Sequence, residues 1–310
     1  MSGIEVLRTG SQTLIQDLGR PGLAAIGVSR SGAVDVGAYA LGARLLGHDF
    51  TADRTVQGRR DPGPAALEVL LGGLEFRVHG EITVALTGAV VPATVDGRAV
   101  GAHAPIRLRD RQVLRLGVAE RGLRCYVSFR GGLDVEPVLG SRSRDTLAEL
   151  GPVLTPGAFV AVGVPGGQAH PAVDHAPVPS LPTEVVELDV LPGPRTDWLA
   201  DLDALTRTPW EVSDRSNRVG LRLAGQPVAR APEFEKAELP SEGVVRGTIQ
   251  VPAGGEPVIF LADHPVTGGY PSVGVLTQAA CDRAAQARPG QRVRLRLVGR
   301  RGSSGTKARS

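Results

Sequence analysis

Ser241-Glu242-Gly243-Val244-Val245-Arg246-Gly247-Thr248-Ile249-Gln250-Val251-Pro252 leads through Ala253-Gly254-Gly255-Glu256 into Pro257-Val258-Ile259-Phe260-Leu261-Ala262-Asp263-His264-Pro265-Val266-Thr267-Gly268-Gly269-Tyr270-Pro271. Two apolar runs rich in β-branched residues flank a Gly-Gly turn, the pattern of a hairpin. The second run ends in a polar, glycine-rich corner, Thr267-Gly268-Gly269-Tyr270. Backbone N–H groups there are not shielded by side chains, so the corner suits an anionic or amide-bearing ligand. Ser241, Glu242, Gln250, Asp263 and His264 place further polar groups around it. A plain hairpin connection explains the glycines equally well.

Composition agrees with a β-rich chain. Of 310 residues, 41 are Gly and 24 are Pro, and aromatics make up only 4%. Many short strands joined by many turns are expected, with Val, Leu, Ala and Ile building the core. A net charge of +3 without a long basic block argues against nucleic-acid binding. The two cysteines do not form a disulfide scaffold. No apolar run has the length of a membrane span, and a cytoplasmic location is expected.

Working outward from that stretch, Gly-Arg-Pro-Gly at 19–22 marks a turn, and Asp35 is placed to cap a helix over 36–46. Val95-Asp96-Gly97-Arg98 reads as a tight hairpin. Cys125 reads as core. Residues 165–182 form a Pro/Gly-rich linker, with His170, Asp174 and His175 as weak metal candidates. Trp198, Leu199, Leu202 and Leu205 predict a short amphipathic helix. Thr277 caps a helix from 278 to 287, and Val293 to Leu297 alternates as a last strand.

Several chemistries are absent. There is no phosphate-binding Gly-x-x-x-x-Gly-Lys loop, no Gly-x-Ser-x-Gly elbow, no His-Glu-x-x-His and no Cys-x-x-Cys. The only lysines are Lys236 and Lys307, and the only methionine is Met1, so a Met-Lys-Met biotin attachment site is excluded. An enzyme built on this chain works with Arg and polar groups on loops, or shares its site with a partner.

Four motifs stand in order: Gln16-Asp17-Leu18-Gly19-Arg20-Pro21-Gly22 with Gly27-Val28-Ser29-x-Ser31-Gly32-Ala33-x-Asp35; Arg130-Gly131-Gly132-Leu133-Asp134 with Val138-Leu139-Gly140-Ser141-Arg142-Ser143; Ser216-Asn217-Arg218-Val219-Gly220; and Ser241-Glu242-Gly243 through Gly274. Together they resemble the allophanate hydrolase subunit 2 family, also called the biotin-dependent carboxyltransferase family, over residues 4–298. The resemblance implies a mainly β fold of two cyclophilin-like β-barrel lobes with a few short helices. The lobes are expected at 1–164 and 184–298, with a linker at 165–183 and a disordered tail at 299–310.

The resemblance further implies the C-type subunit of a 5-oxoprolinase, working with A and B subunits to open 5-oxoproline to L-glutamate. ATP with Mg is expected to be shared with those partners, and no biotin is carried on this chain. Activation of the lactam by phosphorylation needs stabilised phosphate and oxyanion charge. Arg20, Arg142 and Arg218 are candidates for anion contacts, with Arg142 and Arg218 taken as catalytic. Ser29, Ser31, Ser216, Ser241, Glu242, Gln250 and the Thr267-Gly268-Gly269-Tyr270 corner are candidates for substrate binding. Asp263 and His264 are candidates for proton handling. Two other readings stand beside this one: a carboxyltransferase acting on a urea-like amide with biotin on another chain, and a non-catalytic regulatory binding subunit.

Overall fold

A computed structural model describes residues 2–48, 55–56, 59–166, 175–207 and 209–299. The expected mainly β architecture is present. The N-terminal part builds two large sheets and a small two-stranded one, Thr55–Val56 with Arg59–Arg60. The first runs Leu133–Asp134, Phe159–Val162, Gly3–Thr9, Leu74–His79, Val113–Leu116, Ala93–Val95, Arg98–Val100. The second runs Pro105–Leu108, Ile82–Val90, Arg121–Phe129, Ala66–Leu70, Gln12–Gln16. Alternation sets the faces: Leu74, Phe76 and Val78 are buried, while Glu75, Arg77 and His79 between them are half-buried. Leu67, Val84, Cys125 and Phe129 share that core. Asp96 (φ 50°) and Gly97 (φ 81°) both adopt the left-handed conformation that a two-residue hairpin of matching twist requires.

The C-terminal part closes as a seven-stranded barrel. Its order is Val185–Pro192, Ser272–Leu276, Thr248–Gln250, Val258–Phe260, Gly220–Ala224, Trp210–Val212, Arg292–Leu297. The last strand returns parallel to the first, with Val185 opposite Arg292 and Val190 opposite Leu297. Val186, Leu188, Ile249, Ile259, Val273 and Leu295 fill the barrel core, and Val34 from the N-terminal part joins the same cluster.

Two capped helices meet where the parts join. Asp35 caps Val36–Leu45 by accepting from the Ala38 N–H at 2.9 Å. Thr277 caps Gln278–Ala285 in the same way through Ala280. Asp282 on the second helix accepts from the Val36 N–H at 3.0 Å. The Gln286 amide donates to Asp35 at 2.7 Å and accepts from the backbone of Leu123 and Arg124. These polar groups brought into the seam have counterparts across it, which is what burial of polar surface demands.

The amphipathic helix expected from Trp198 to Leu205 is instead a 3-10 turn, Thr196–Trp198, and a separate short helix, Ala204–Arg207. Leu199 turns extended to bridge Arg230, and Ala200 donates to the Ala229 carbonyl. Strand-like pairing wins over helical propensity there, while Trp198 stacks on Phe234 with ring centroids 4.5 Å apart. His170 and Asp174, and residues 300–310 of the expected tail, lie outside the described residues. Among the described residues no cluster of three or more His, Cys, Asp or Glu could hold a metal ion, and no helix is long and apolar enough to cross a membrane. Both cysteines are buried and free, and burial pushes the Cys125 thiol up to about 12.

Burial, with Asp282 nearby, pushes the Asp35 carboxyl from 3.8 up to about 6. The fold therefore favours the neutral acid. The penalty for ionisation is fully present above the folded value and is relieved as pH falls from about 6 toward 3.8. Asp35→Asn keeps a capping oxygen. Its amide NH2 then faces the Gln286 donor, a cost that does not change with pH, so the variant is expected to gain on wild type by about 1–3 kcal/mol as pH rises from ~4 to ~7.5. Thermal melts at both ends of that range check this, and an equal difference from wild type at both would remove the carboxyl as its source.

Candidate functional site

The four sequence motifs converge at the seam, through two buried carboxylates. Asp17 is the first. It accepts from the Gly19 N–H at 2.7 Å, the Arg142 N–H at 2.7 Å, and the Ser141 and Ser143 hydroxyls at 2.6 and 2.5 Å. These bonds tie the first motif to the second. Burial nevertheless leaves the Asp17 carboxyl raised above its ordinary range. Gly19 and Gly32 explain the glycines of the first motif. Both have positive φ, and a Cβ on Gly19 would lie 2.2 Å from the Arg30 carbonyl oxygen. Only glycine lets the two loops touch backbone to backbone.

Asp263 is the second node, and it joins the third and fourth motifs to the first two. Arg218 donates to it through Nε and Nη2, both at 2.9 Å. The Ser31 hydroxyl donates at 2.6 Å, and Thr146 donates through its N–H and hydroxyl at 2.9 and 2.7 Å. Asn217 caps its own turn, accepting from Val219 and Gly220, and so directs Arg218 inward. Arg218 also donates to Glu68 and, at 2.7 Å, to the Gly32 carbonyl. Burial alone would raise the Asp263 carboxyl, but the Arg218 guanidinium overcomes it and holds the acid below its usual range. Burial opposes the charge on Arg218 as well, and Asp263 and Glu68 more than restore it. Asp263 and Arg218 are thus saturated by protein partners.

Beside this network lies a cavity of about 600 Å³ between the 18–36 loops and the barrel residues 244–246, 262–266 and 276–281. Of the expected site residues it is lined by Arg20, Ser29, Ser31 and His264. Arg20 is held by the Val138 and Ser143 carbonyls, and Ser29 donates to Asp145 at 3.0 Å. His264 contacts the Pro265 carbonyl through Nδ1 at 2.6 Å. A carbonyl only accepts, so Nδ1 carries the proton and Nε2 is left as an acceptor. Burial lowers the pKa of the ring and keeps it neutral near pH ~7.

The other candidates lie elsewhere. Arg142 donates through Nε to the Val135 carbonyl and does not line the cavity. Ser216 exchanges hydrogen bonds with the Arg222 backbone on the far side of the Arg218 turn. Thr267–Gly268 pairs with Glu242–Gly243 as a two-stranded ribbon, where Glu242 is ion-paired to Arg195. Ser241 is exposed beside it, and Tyr270 is also exposed. The buried Gln250 donates to the Tyr270 carbonyl at 2.8 Å. Gly268 does not have a left-handed backbone. A Cβ there would come within 2.7 Å of the Gln250 amide. Gly269 has room, its nearest neighbour being 3.6 Å away. Sequence reasoning passed over Arg246 and Gln278, which share the cavity wall with Arg30. Arg246 carried a signal, being a lone charge inside the apolar run Val244 to Ile249.

Two β-rich units sharing a polar seam, with a cavity opening on it, describe the class to which the comparisons lead. Residues 26–297 match the model of the carboxyltransferase domain, subdomains A and B, and the chain belongs to that family. The C-type subunit of the 5-oxoprolinase of Escherichia coli strain K12 is 32% identical over 304 residues, covering 93% of this chain and 89% of the relative. The urea amidolyase of Saccharomyces cerevisiae is 30% identical over 319 residues, but this chain spans only 16% of its length. The crystal structure of the Kluyveromyces lactis urea amidolyase superposes with a TM-score of 0.85 at 28% identity, over 96% of this chain and 19% of that one.

Two stability measurements follow. Arg218→Ala leaves Glu68 and Asp263 buried with an uncompensated charge, and is expected to cost about 3–5 kcal/mol in urea unfolding. A loss below about 1 kcal/mol would contradict this account of the network. Gly268→Ala is expected to displace Gln250 and cost about 1–2 kcal/mol, while Gly269→Ala stays near neutral. Equal effects of the two alanines on the melting temperature would exclude the Gln250 contact as the reason for the glycine.

Proposed function

We propose that this chain is the C-type subunit of an ATP-dependent 5-oxoprolinase, opening the 5-oxoproline lactam to L-glutamate in a cytoplasmic complex with A and B subunits. The observation that carries the reading is the lining of the cavity. Arg20, Arg30 and Arg246 contribute to it, and no Asp or Glu among the described residues does. Most of the remaining wall is apolar. That combination suits a small ring bearing negative charge. The similarity to 5-oxoprolinase subunits along nearly their whole length supports the same assignment.

A lactam carbonyl is a poor electrophile. The positive wall stabilises charge that develops on its oxygen as the carbon is attacked. Neutral His264 accepts a proton from the attacking water through Nε2 and returns it to the ring nitrogen as the C–N bond breaks. Asp263 and Arg218 hold the Ser31 and Thr146 loops in place behind the wall. When bound, ATP with its Mg, shared with the partner subunits, would supply activation by phosphorylation of the lactam oxygen with ADP leaving, so that ring opening gives an acyl phosphate that a second water hydrolyses to glutamate and phosphate.

A second reading has support in the family match and in the yeast urea amidolyase fold. It makes this chain a carboxyltransferase for a urea-like amide, with biotin on another chain. One assay separates the two: ATP-dependent glutamate formation from 5-oxoproline, with this chain added to or omitted from its two partners. Turnover that requires this chain is expected. Full activity of the partner pair alone would remove the catalytic assignment and favour a regulatory role. Bicarbonate-dependent consumption of a urea-like amide with a biotin carboxylase would favour the second reading.

A further inference from the structure

Three guanidinium groups line the cavity, and they differ in what they can offer a ligand. Arg20 is 2% exposed, and the Val138 and Ser143 carbonyls already occupy two of its nitrogens. Its Nη1 is buried without an acceptor, but the other two nitrogens are tied to the frame of the loops. Arg30 sits on an exposed loop, where water screens its charge. Arg246 is intermediate, with a side chain 19% exposed. It is fixed from both parts of the molecule, donating to the Val34 carbonyl at 2.6 Å and to Asp282 at 2.8 Å. Both bonds leave from Nη2, and Nε is buried without an acceptor. A guanidinium has five N–H donors, so most of this fork is uncommitted.

We propose that Arg246 recognises the carboxylate of the substrate, and so makes the site select a carboxylate-bearing lactam over a neutral amide of the same ring size. This rests on the 5-oxoprolinase reading and adds the residue that sets its specificity. Asp282 and Val34 orient the guanidinium, which makes it a pre-formed anion contact and not a mobile surface charge. The apolar residues Val36, Val244 and Leu276 line the same cavity and offer surface for the ring carbons. Asp282 meets only Nη2, so a neutral lactam would cover the remaining N–H donors of Arg246 without bringing a carboxylate to accept from them. A site built around a charged partner rejects the analogue that lacks it.

The test uses the complex with its partner subunits, and two ring compounds: 5-oxoproline, and 2-pyrrolidinone, the same lactam without the carboxylate. Arg246→Gln is expected to raise KM for 5-oxoproline at least about tenfold, with a smaller fall in kcat because Arg246 also belongs to the positive wall. Arg246→Lys should recover part of the loss, since it restores a charge without the fork. Calorimetric titration of this chain with each compound reads recognition apart from turnover. Wild type should prefer 5-oxoproline, and Arg246→Gln should abolish that preference. If the complex turns over no 5-oxoproline while the titration preference holds, the activity reading fails and the recognition by Arg246 stands. Equal binding of the two compounds by wild type, no binding of 5-oxoproline, or an Arg246→Gln variant that keeps the wild-type preference would overturn the proposal. If the glutamine variant melts early, the lysine variant decides: wild-type affinity in a protein lacking the fork also overturns it.

Discussion

Arg218 carries a charge into a place where water does not reach. Desolvation opposes this strongly, and the molecule tolerates it because two carboxylates and a carbonyl surround the guanidinium. The partners come from distant parts of the chain. Glu68 and Gly32 belong to the N-terminal part, and Asp263 belongs to the barrel. Glu68 also accepts from the Tyr126 hydroxyl at 2.6 Å and the Val34 N–H at 3.0 Å. The two parts therefore cannot slide against each other without stranding a buried ion. Geometry at the cavity wall, set by the neighbouring Ser31 and Val34, inherits that rigidity.

The same seam explains why the cavity is positive although acids surround it. Asp17, Glu68, Asp145 and Asp263 are close by, but each is engaged by serine hydroxyls, backbone N–H groups or Arg218 and stays off the cavity wall. Their charge is committed to structure. The field inside the cavity keeps the sign of the guanidinium groups that line it.

Much of this was legible in the residues. The helix caps Asp35 and Thr277, the Asp96-Gly97 hairpin and the alternating last strand follow from local chemistry that tertiary structure had no reason to override. The four motifs were also recognisable as a set. Their roles were not. In sequence, Arg218, Asp263 and the Thr-Gly-Gly corner look alike, polar groups on loops. Only the fold separates a saturated buried ion network from a ribbon held by Gln250 and from a cavity wall. The helix expected at Trp198 failed because the pattern of apolar residues cannot report the Ala229 and Arg230 backbone that came to pair with it. Arg246 went unread because a single arginine in a strand-like run has an ordinary explanation, until Val34 and Asp282 are seen to hold it from two sides.

The parallel pairing of Val185–Pro192 with Arg292–Leu297 has a kinetic side. The barrel cannot close until its final strand has emerged from the ribosome, long after the first is available. Until then the first strand presents an unpaired edge, and the core residues Leu188 and Val190 lack their cover. Closure of this kind depends on contacts far apart in sequence and is slow. The N-terminal sheets, complete far earlier, already offer Glu68 and the Gly32 carbonyl as a docking face. The earlier half of the chain can thus act as a template on which the later half assembles.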